Sequence, residues 1–397
     1  MTTLIRYLKG NKRLPGKYET LLAFTPITVF LAPIIVAFFD EKLFELPRLI
    51  LIPICILYSL LFITGLHVLI RQLFTAPFSI VDFLMSRFEK GRERLKSFKR
   101  KREKVKFDSS RRRFISASAA AVSGYVFVSA GAGVVGKDDY EIVRKTITIK
   151  NLPENLKGTT ISLVSDIHSG PYMKLDTMRD YCSVINSLKS DIILIPGDMT
   201  SSEKVEIAPF VNAFRDLRAE HGVYATLGNH DYLSQPDYIA DAISADTPIR
   251  MLRNDALVIN KNGEKFCLLG MEDTKESMVE DWDVLNGYLD KTIDKARYHF
   301  DSYSTMPKVL LCHKPYFFRD MSQKGIDLIL SGHTHGGQVV LAKFGSLNIS
   351  MASTVSEYVS GLYSANGSQM YVSRGIGSSS IPLRLNCPPE ITQITLV

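Results

Sequence analysis

The chain has 397 residues, 46% of them hydrophobic, which is enough apolar material for one or two packed domains. Its formal net charge of +7 is unevenly spread: residues 86–114 hold 14 Lys/Arg against four acids, so the remainder is slightly acidic. Basicity confined to one segment speaks against a nucleic-acid-binding protein, and five scattered cysteines without CxxC spacing exclude a zinc finger or a dense disulfide framework.

In chain order, residues 21–39 (LLAFTPITVFLAPIIVAFF) and 49–70 (LILIPICILYSLLFITGLHVLI) are runs of 19 and 22 residues without a formal charge. A helix needs about 20 residues to cross about 30 Å of hydrocarbon. Neither run has the polar stripe of a buried core helix, so both predict membrane helices. Residues 114–136 (FISASAAAVSGYVFVSAGAGVVG) are a third, weaker run, rich in Ala, Ser and Gly. Ser110-Arg111-Arg112-Arg113-Phe114-Ile115 resembles a twin-arginine export signal, and a basic stop beside an ordinary membrane helix accounts for it as well. The positive-inside rule puts the N-terminus and the basic segment 71–113 in the cytoplasm. If residues 114–136 cross, everything after them lies outside it. Lys/Arg beside a membrane helix also attract anionic lipid, which makes membrane lipids an expected partner.

The texture changes near residue 140, giving an expected membrane region over 1–140 and a globular domain over 141–397. Short apolar runs now alternate with amphipathic stretches. TISLVSD (160–166), DIILIPGD (191–198), VYATLGNHD (223–231), KVLLCHKP (308–315) and IDLILSGHTH (326–335) read as strands running into polar turns. Residues 176–190 and a stretch near 205–219 read as helices, so the pattern is that of an α/β domain. Each strand delivers polar residues at its carboxyl end, where open α/β sheets form their ligand crevice. Those residues are Asp166 and His168, Asp198, Asn229 and His230, His313, and His333 with His335. Five of the eight histidines fall at these ends, while His67, His221 and His299 lie elsewhere. A lone Asp after a strand is an ordinary helix cap; the recurrence is what points to a site.

SDIH (165–168), GD (197–198), GNHD (228–231), CH (312–313) and GHTH (332–335) resemble, in order and spacing, the five motifs of the calcineurin-like metallophosphoesterases. The tail YVSRGIGSSSIPLRLNCPPEI (371–391) and the N-terminal runs are similar to the membrane-associated bacterial branch with YkuE- and YaeI-like members. The resemblance implies a four-layer α/β/β/α sandwich preceded by transmembrane helices in a bacterial inner membrane, with the catalytic domain extracytoplasmic. It implies two divalent ions, Mn, Fe or Zn. Asp166, His168, Asp198 and His335 would hold one, and Asp198, Asn229, His313 and His333 the other. Oxygen and imidazole ligands suit such ions. A shared water made nucleophilic between them would attack a phosphate ester. His230 would protonate the leaving oxygen, with Asp231 fixing its tautomer. Cys312 reads as a core residue, and Arg374 as an ion-pair residue that could also meet a phosphate. Gly197, Gly228 and Gly332 would allow sharp turns and a close approach of phosphate. Alternatives are hydrolysis of UDP-2,3-diacylglucosamine, a cytoplasmic substrate, and a non-catalytic membrane adaptor.

Overall fold

The computed structural model describes residues 138–397 apart from 276–281 and 345–346, together with single positions at 87, 88, 93, 133 and 136. The chain divides into Met1–Ser129 and Ala130–Val397, of which the second is described below. Among the described residues no helix is long and apolar enough to cross a membrane. The expected membrane runs 21–39 and 49–70 lie outside the described residues, as does 114–136 except for Gly133 and Gly136.

Two six-stranded sheets form the domain. The first comprises β1 (Glu141–Ile147), β2 (Thr160–Leu163), β3 (Ile192–Ile195), β4 (Val223–Ala225), β5 (Ile249–Met251) and the last strand, β14 (Glu390–Leu396). Its order is β1-β14-β2-β3-β4-β5, parallel from β2 to β5, with β14 antiparallel to β2 and parallel to β1. The second holds β6 (Asp255–Lys261), β7 (Glu264–Gly270), β8 (Lys308–Leu311), β9 (Leu328–Ser331), β12 (Gly361–Ala365) and β13 (Ser368–Val372), ordered β12-β13-β9-β8-β7-β6. Between β9 and β12 lies a separate hairpin, β10 (Ala342–Phe344) and β11 (Leu347–Ile349).

β3 is apolar throughout, and β8 after Lys308, because both their faces are covered. On β3, Ile192 and Leu194 enter the core between the sheets, while Ile193 and Ile195 face the helices α1 (Leu175–Ser187) and α2 (Ile207–Phe214). On β8, Val309 and Leu311 point to the same inter-sheet core; Leu310 points to a third core against helix α5 (Trp282–His299). Helix α5 presents Leu285, Leu289, Ile293 and Ala296, a stripe at helical spacing. Two outer helical layers therefore enclose two sheets. Cys312, beyond β8, is fully buried in that third core, and burial pushes its thiol up to about 12, so it is a packing residue.

Candidate metal centre

The five strand ends singled out by their polar residues come from two different sheets: β2, β3 and β4 from the first, β8 and β9 from the second. Their turns meet at one rim. Asp166, His168, Asp198, His333 and His335 all have φ between 50° and 70°. Side chains with a Cβ avoid this left-handed region, at a cost of about 1 kcal/mol or more per residue. Neighbouring backbone pins the turns there. Asp166 N donates to Gly197 O (3.2 Å), His168 N to Asp198 O (3.0 Å), Gly332 N to His313 O (3.0 Å) and Gly377 N to Asp166 O (2.8 Å). Strain held in place by this much bonding concentrates where the geometry of side chains matters.

The side chains form two linked groups. In one, His168 Nε2 lies 3.0 Å from His335 Nε2 and 3.5 Å from Asp198 Oδ2, while His335 Nε2 lies 3.6 Å from Asp166 Oδ1. In the other, His313 Nε2 is 3.1 Å from Asp198 Oδ2 and 3.2 Å from His333 Nδ1. Asp198 Oδ2 thus faces both groups, and His333 and His335 face opposite ones. Asn229, the first residue of helix α3 (Asn229–Leu233), is buried with its Oδ1 atom lacking any hydrogen-bond partner. A buried oxygen left so costs free energy unless something binds it. The donor set of carboxylates, imidazoles and one amide oxygen fits hard to borderline divalent ions.

Electrostatics follow from burial. Burial first, then His230, drives His168 down to about 3. Burial and His168 also hold His335 well below the ordinary histidine value, so both rings are neutral and keep a lone pair for a cation. Burial likewise opposes a charge on His313, but Asp198 and Asp166 outweigh it and raise the ring to about 10. Without a cation, a proton on His313 therefore neutralises part of the carboxylate charge.

His230 is half-buried, its backbone N donates to Asp198 Oδ1 (2.9 Å), and its ring stands edge-on to His168 at 4.6 Å. The expected Asp231 contact to its ring is replaced. The His230 Nδ1–H instead donates to the carbonyl of Ser201. Asp231 turns inward: it accepts from Met199 N (2.9 Å), Thr200 N (2.9 Å) and Gly228 N (3.0 Å), holding the turn after Asp198 to the start of α3. Asp231 is therefore a structural cap rather than the group that orients His230. Gly228 N is one of the N–H groups that a helix start leaves unpaired, whereas Met199 N and Thr200 N come from the turn after β3. Gly197, at φ 116°, makes the sharp turn expected of it. A Cβ at Gly332 would strike the Asp166 carboxylate and Ser165, and one at Gly228 would strike Asp198, so the close approach they permit is that of carboxylates. Arg374 bonds Glu141 (2.8 Å) and Glu390 as an ion-pair residue. Behind His335 lies Arg384, buried, with Nη2 3.3 Å from His335 Nδ1 and 2.9 Å from Arg374 O. No spacing in the sequence marks it, since it reaches the ring from 49 positions away.

Two cation pockets that share one carboxylate at the edge of a two-sheet sandwich define a class, the dinuclear metallohydrolases. Residues 159–337 match the calcineurin-like phosphoesterase family, a span that includes all seven residues of the two pockets. Over this span the chain carries a calcineurin-like metallophosphoesterase domain. It is 29% identical over 267 residues to a zebrafish (Danio rerio) "transmembrane protein with metallophosphoesterase domain", covering 64% of this chain and 57% of that one. An uncharacterized metallophosphoesterase of Helicobacter pylori J99 is 30% identical over 259 residues, covering 65% and 64%. YkuE of Bacillus subtilis, also an uncharacterized metallophosphoesterase, is 27% identical over 297 residues, covering 72% and 97%. The chain thus spans under two thirds of the length of the first two.

Proposed function

We propose that the protein is a membrane-anchored, dinuclear metal-dependent phosphohydrolase, a phosphodiesterase acting on a lipid-linked or envelope ester. The observation that carries this reading is the sharing of Asp198 between two buried imidazole–carboxylate groups; the buried, unpartnered oxygen of Asn229, next to the residue whose backbone N donates to Asp198, adds to it. Asp166, His168, Asp198 and His335 would hold one ion and Asp198, Asn229, His313 and His333 the other. When bound, such a pair of ions clamps phosphoryl oxygens and makes a shared water a stronger nucleophile. His230 Nδ1–H donates a hydrogen bond to the Ser201 carbonyl, which leaves Nε2 as the ring atom that, when the ring is protonated, can pass its proton to the departing oxygen. Mn, Fe and Zn all suit these ligands.

Anchoring is supported by the uncharged runs at 21–39, 49–70 and 114–136, and by relatives that are named transmembrane proteins. An anchor holds the site near headgroups, which favours a lipid-linked ester over a soluble one. Crossing by 114–136 would put the domain outside the cytoplasm and away from any cytoplasmic nucleotide-linked lipid.

The test is a screen of phosphate mono- and diesters, phospholipids and UDP-linked lipids with the metal-loaded full-length protein in detergent. Asp198→Asn is expected to lose bound metal, counted by elemental analysis, and more than about a hundredfold in turnover. Undiminished activity in that variant would overturn the metal assignment. Equal turnover of soluble and lipid diesters would overturn the lipid assignment.

A further inference from the structure

Among the described residues, several large apolar side chains in the segments bonded to the turn that carries His335 keep exposed surface. Leu341 is 65% exposed and Met351 80%, and Ile349, Val355 and Ile381 are exposed beside them. Single exposed hydrophobics are ordinary, but a contiguous group marks a contact surface. These belong together through bonds. Leu341 N donates to Ile349 O (2.9 Å), closing the β10–β11 hairpin, and Asn348 Nδ2 from that hairpin donates to Gly336 O (3.2 Å). A Cβ at Gly337 would strike Ser350, the neighbour of Met351. Gln338 Nε2 donates to Ser379 O (3.0 Å) and Ile381 O (3.1 Å). Val355 N donates to Ala352 O (3.1 Å), next to Met351, so each apolar residue of the group is linked, directly or through near neighbours, to the segment His335–Gln338 or the hairpin bonded to it.

The same edge receives the incoming chain. Arg384, three residues after Ile381 and in contact with His335, donates its backbone N to Gly133 O (3.2 Å). Gly133 lies near the end of the uncharged run 114–136. Eight residues later, Glu141 bonds Arg374, against whose side chain Gly336 packs. The end of a segment suited to a bilayer therefore meets the domain at Arg384, the residue behind His335 and three positions after exposed Ile381.

We propose that Leu341, Ile349, Met351, Val355 and Ile381 form a rim that seats in the headgroup region of a lipid bilayer, with the metal turn opening onto it. The inference rests on the reading above of a bilayer-anchored enzyme. It adds a surface that delivers lipid-borne phosphate to the site. Apolar side chains of this kind sink about 5–10 Å into the headgroup boundary. Lys343, exposed on β10, would meet anionic headgroups at the same depth.

The test uses full-length protein carrying Cys55→Ser, with a polarity-sensitive fluorophore on Met351→Cys or, as control, on Tyr298→Cys. Tyr298 is exposed near the end of α5, on the chain entering β8, away from the strand ends that carry the site. In vesicles of phosphatidylcholine and phosphatidylglycerol, the Met351 label is expected to shift to the blue and to be quenched by spin-labelled lipid; the Tyr298 label is not. In the variant Leu341→Ser/Met351→Ser/Ile381→Ser, the ratio of vesicle-borne to soluble diester turnover is expected to fall about tenfold or more. A Met351 label that stays in water overturns the rim, as does protection that appears in lipid-free detergent and grows with protein concentration, the sign of a second copy. Quenching without any lipid-ester turnover keeps the rim and overturns the lipid substrate; turnover without quenching does the reverse.

Discussion

Asp198 and His230 sit side by side, and their environments divide the work between them. Asp198 is completely buried between two imidazole groups, whereas His230 is half-buried, with one nitrogen engaged by a backbone carbonyl. If His230 supplies a proton and not a metal bond, His230→Asn should keep its metal content and lose about 10²–10⁴ in turnover. The loss should shrink for nitrophenyl esters, whose leaving oxygen needs no proton. A loss of metal, or an equal loss for both kinds of leaving group, would make His230 a ligand. Asp231 makes the opposite case. Its charge is spent on backbone N–H groups, so Asp231→Ala should lower stability by about 1–3 kcal/mol, read as a lower thermal midpoint, because buried donors lose their acceptor. Adjacent polar residues in GNHD are equally conspicuous in the sequence. Which one touches chemistry and which caps a helix depends on the direction of each side chain, set by the helix start that residue 229 opens.

Among the elements, Asp191 shows how one side chain fixes the frame beneath the site. Preceding β3, it accepts from Thr160 N (2.7 Å) and Thr160 Oγ1 (2.8 Å) at the start of β2, and it pairs with Lys261 Nζ (2.7 Å) at the end of β6 in the other sheet. Burial opposes its charge, but Lys261 and Thr160 outweigh burial and hold its carboxyl below the ordinary value. An acid lowered on folding contributes stability above its unfolded pKa and loses it as pH falls through the folded one. Asp191→Asn should therefore cost roughly 1–2 kcal/mol at pH 7. The gap to wild type should close below about pH 4. Urea denaturation at both pH values measures this, and an equal gap at both would assign the effect to packing. The elements that carry the site were legible because β2, β3, β4, β8 and β9 are short, largely apolar runs that lead into polar turns, interrupted by few polar residues such as Ser162. Their division between two sheets was not. β5 is the edge of the first sheet and β6, separated from it by three residues, the edge of the second, while β14 joins β1 and β2 across more than 200 positions; no local pattern encodes either. β1 itself, with mostly exposed side chains, carries no periodic signal. The left-handed φ of Asp166, His168, Asp198, His333 and His335 was equally hidden, since these residue types fit many turns.

At the scale of the whole domain, the two pockets lie across the junction of the sheets. Asp166, His168, Asp198 and Asn229 belong to the first sheet's strand ends, and His313, His333 and His335 to the second's. Each ion would then draw ligands from both sheets, Asp166 with His335 in one pocket and Asp198 with His313 in the other. Metal binding would thus act as a clamp between halves that otherwise meet through the apolar core of Ile192, Leu194, Val309 and Leu330. A ligand that binds only the folded state stabilises it by about 2.7 kcal/mol when present at a hundred times its dissociation constant. Loading the full-length protein with metal should accordingly raise the unfolding midpoint of the domain, and chelation should lower it. Asp198→Asn should respond little to either treatment, because it removes the ligand common to both pockets. The control is Asp191→Asn, which weakens the frame without touching the pockets and should keep the full metal response. Calorimetry of the three proteins with and without chelator separates these outcomes. A midpoint in wild type that ignores both added metal and chelator would mean that the folded domain does not bind the ions in preference to the unfolded chain.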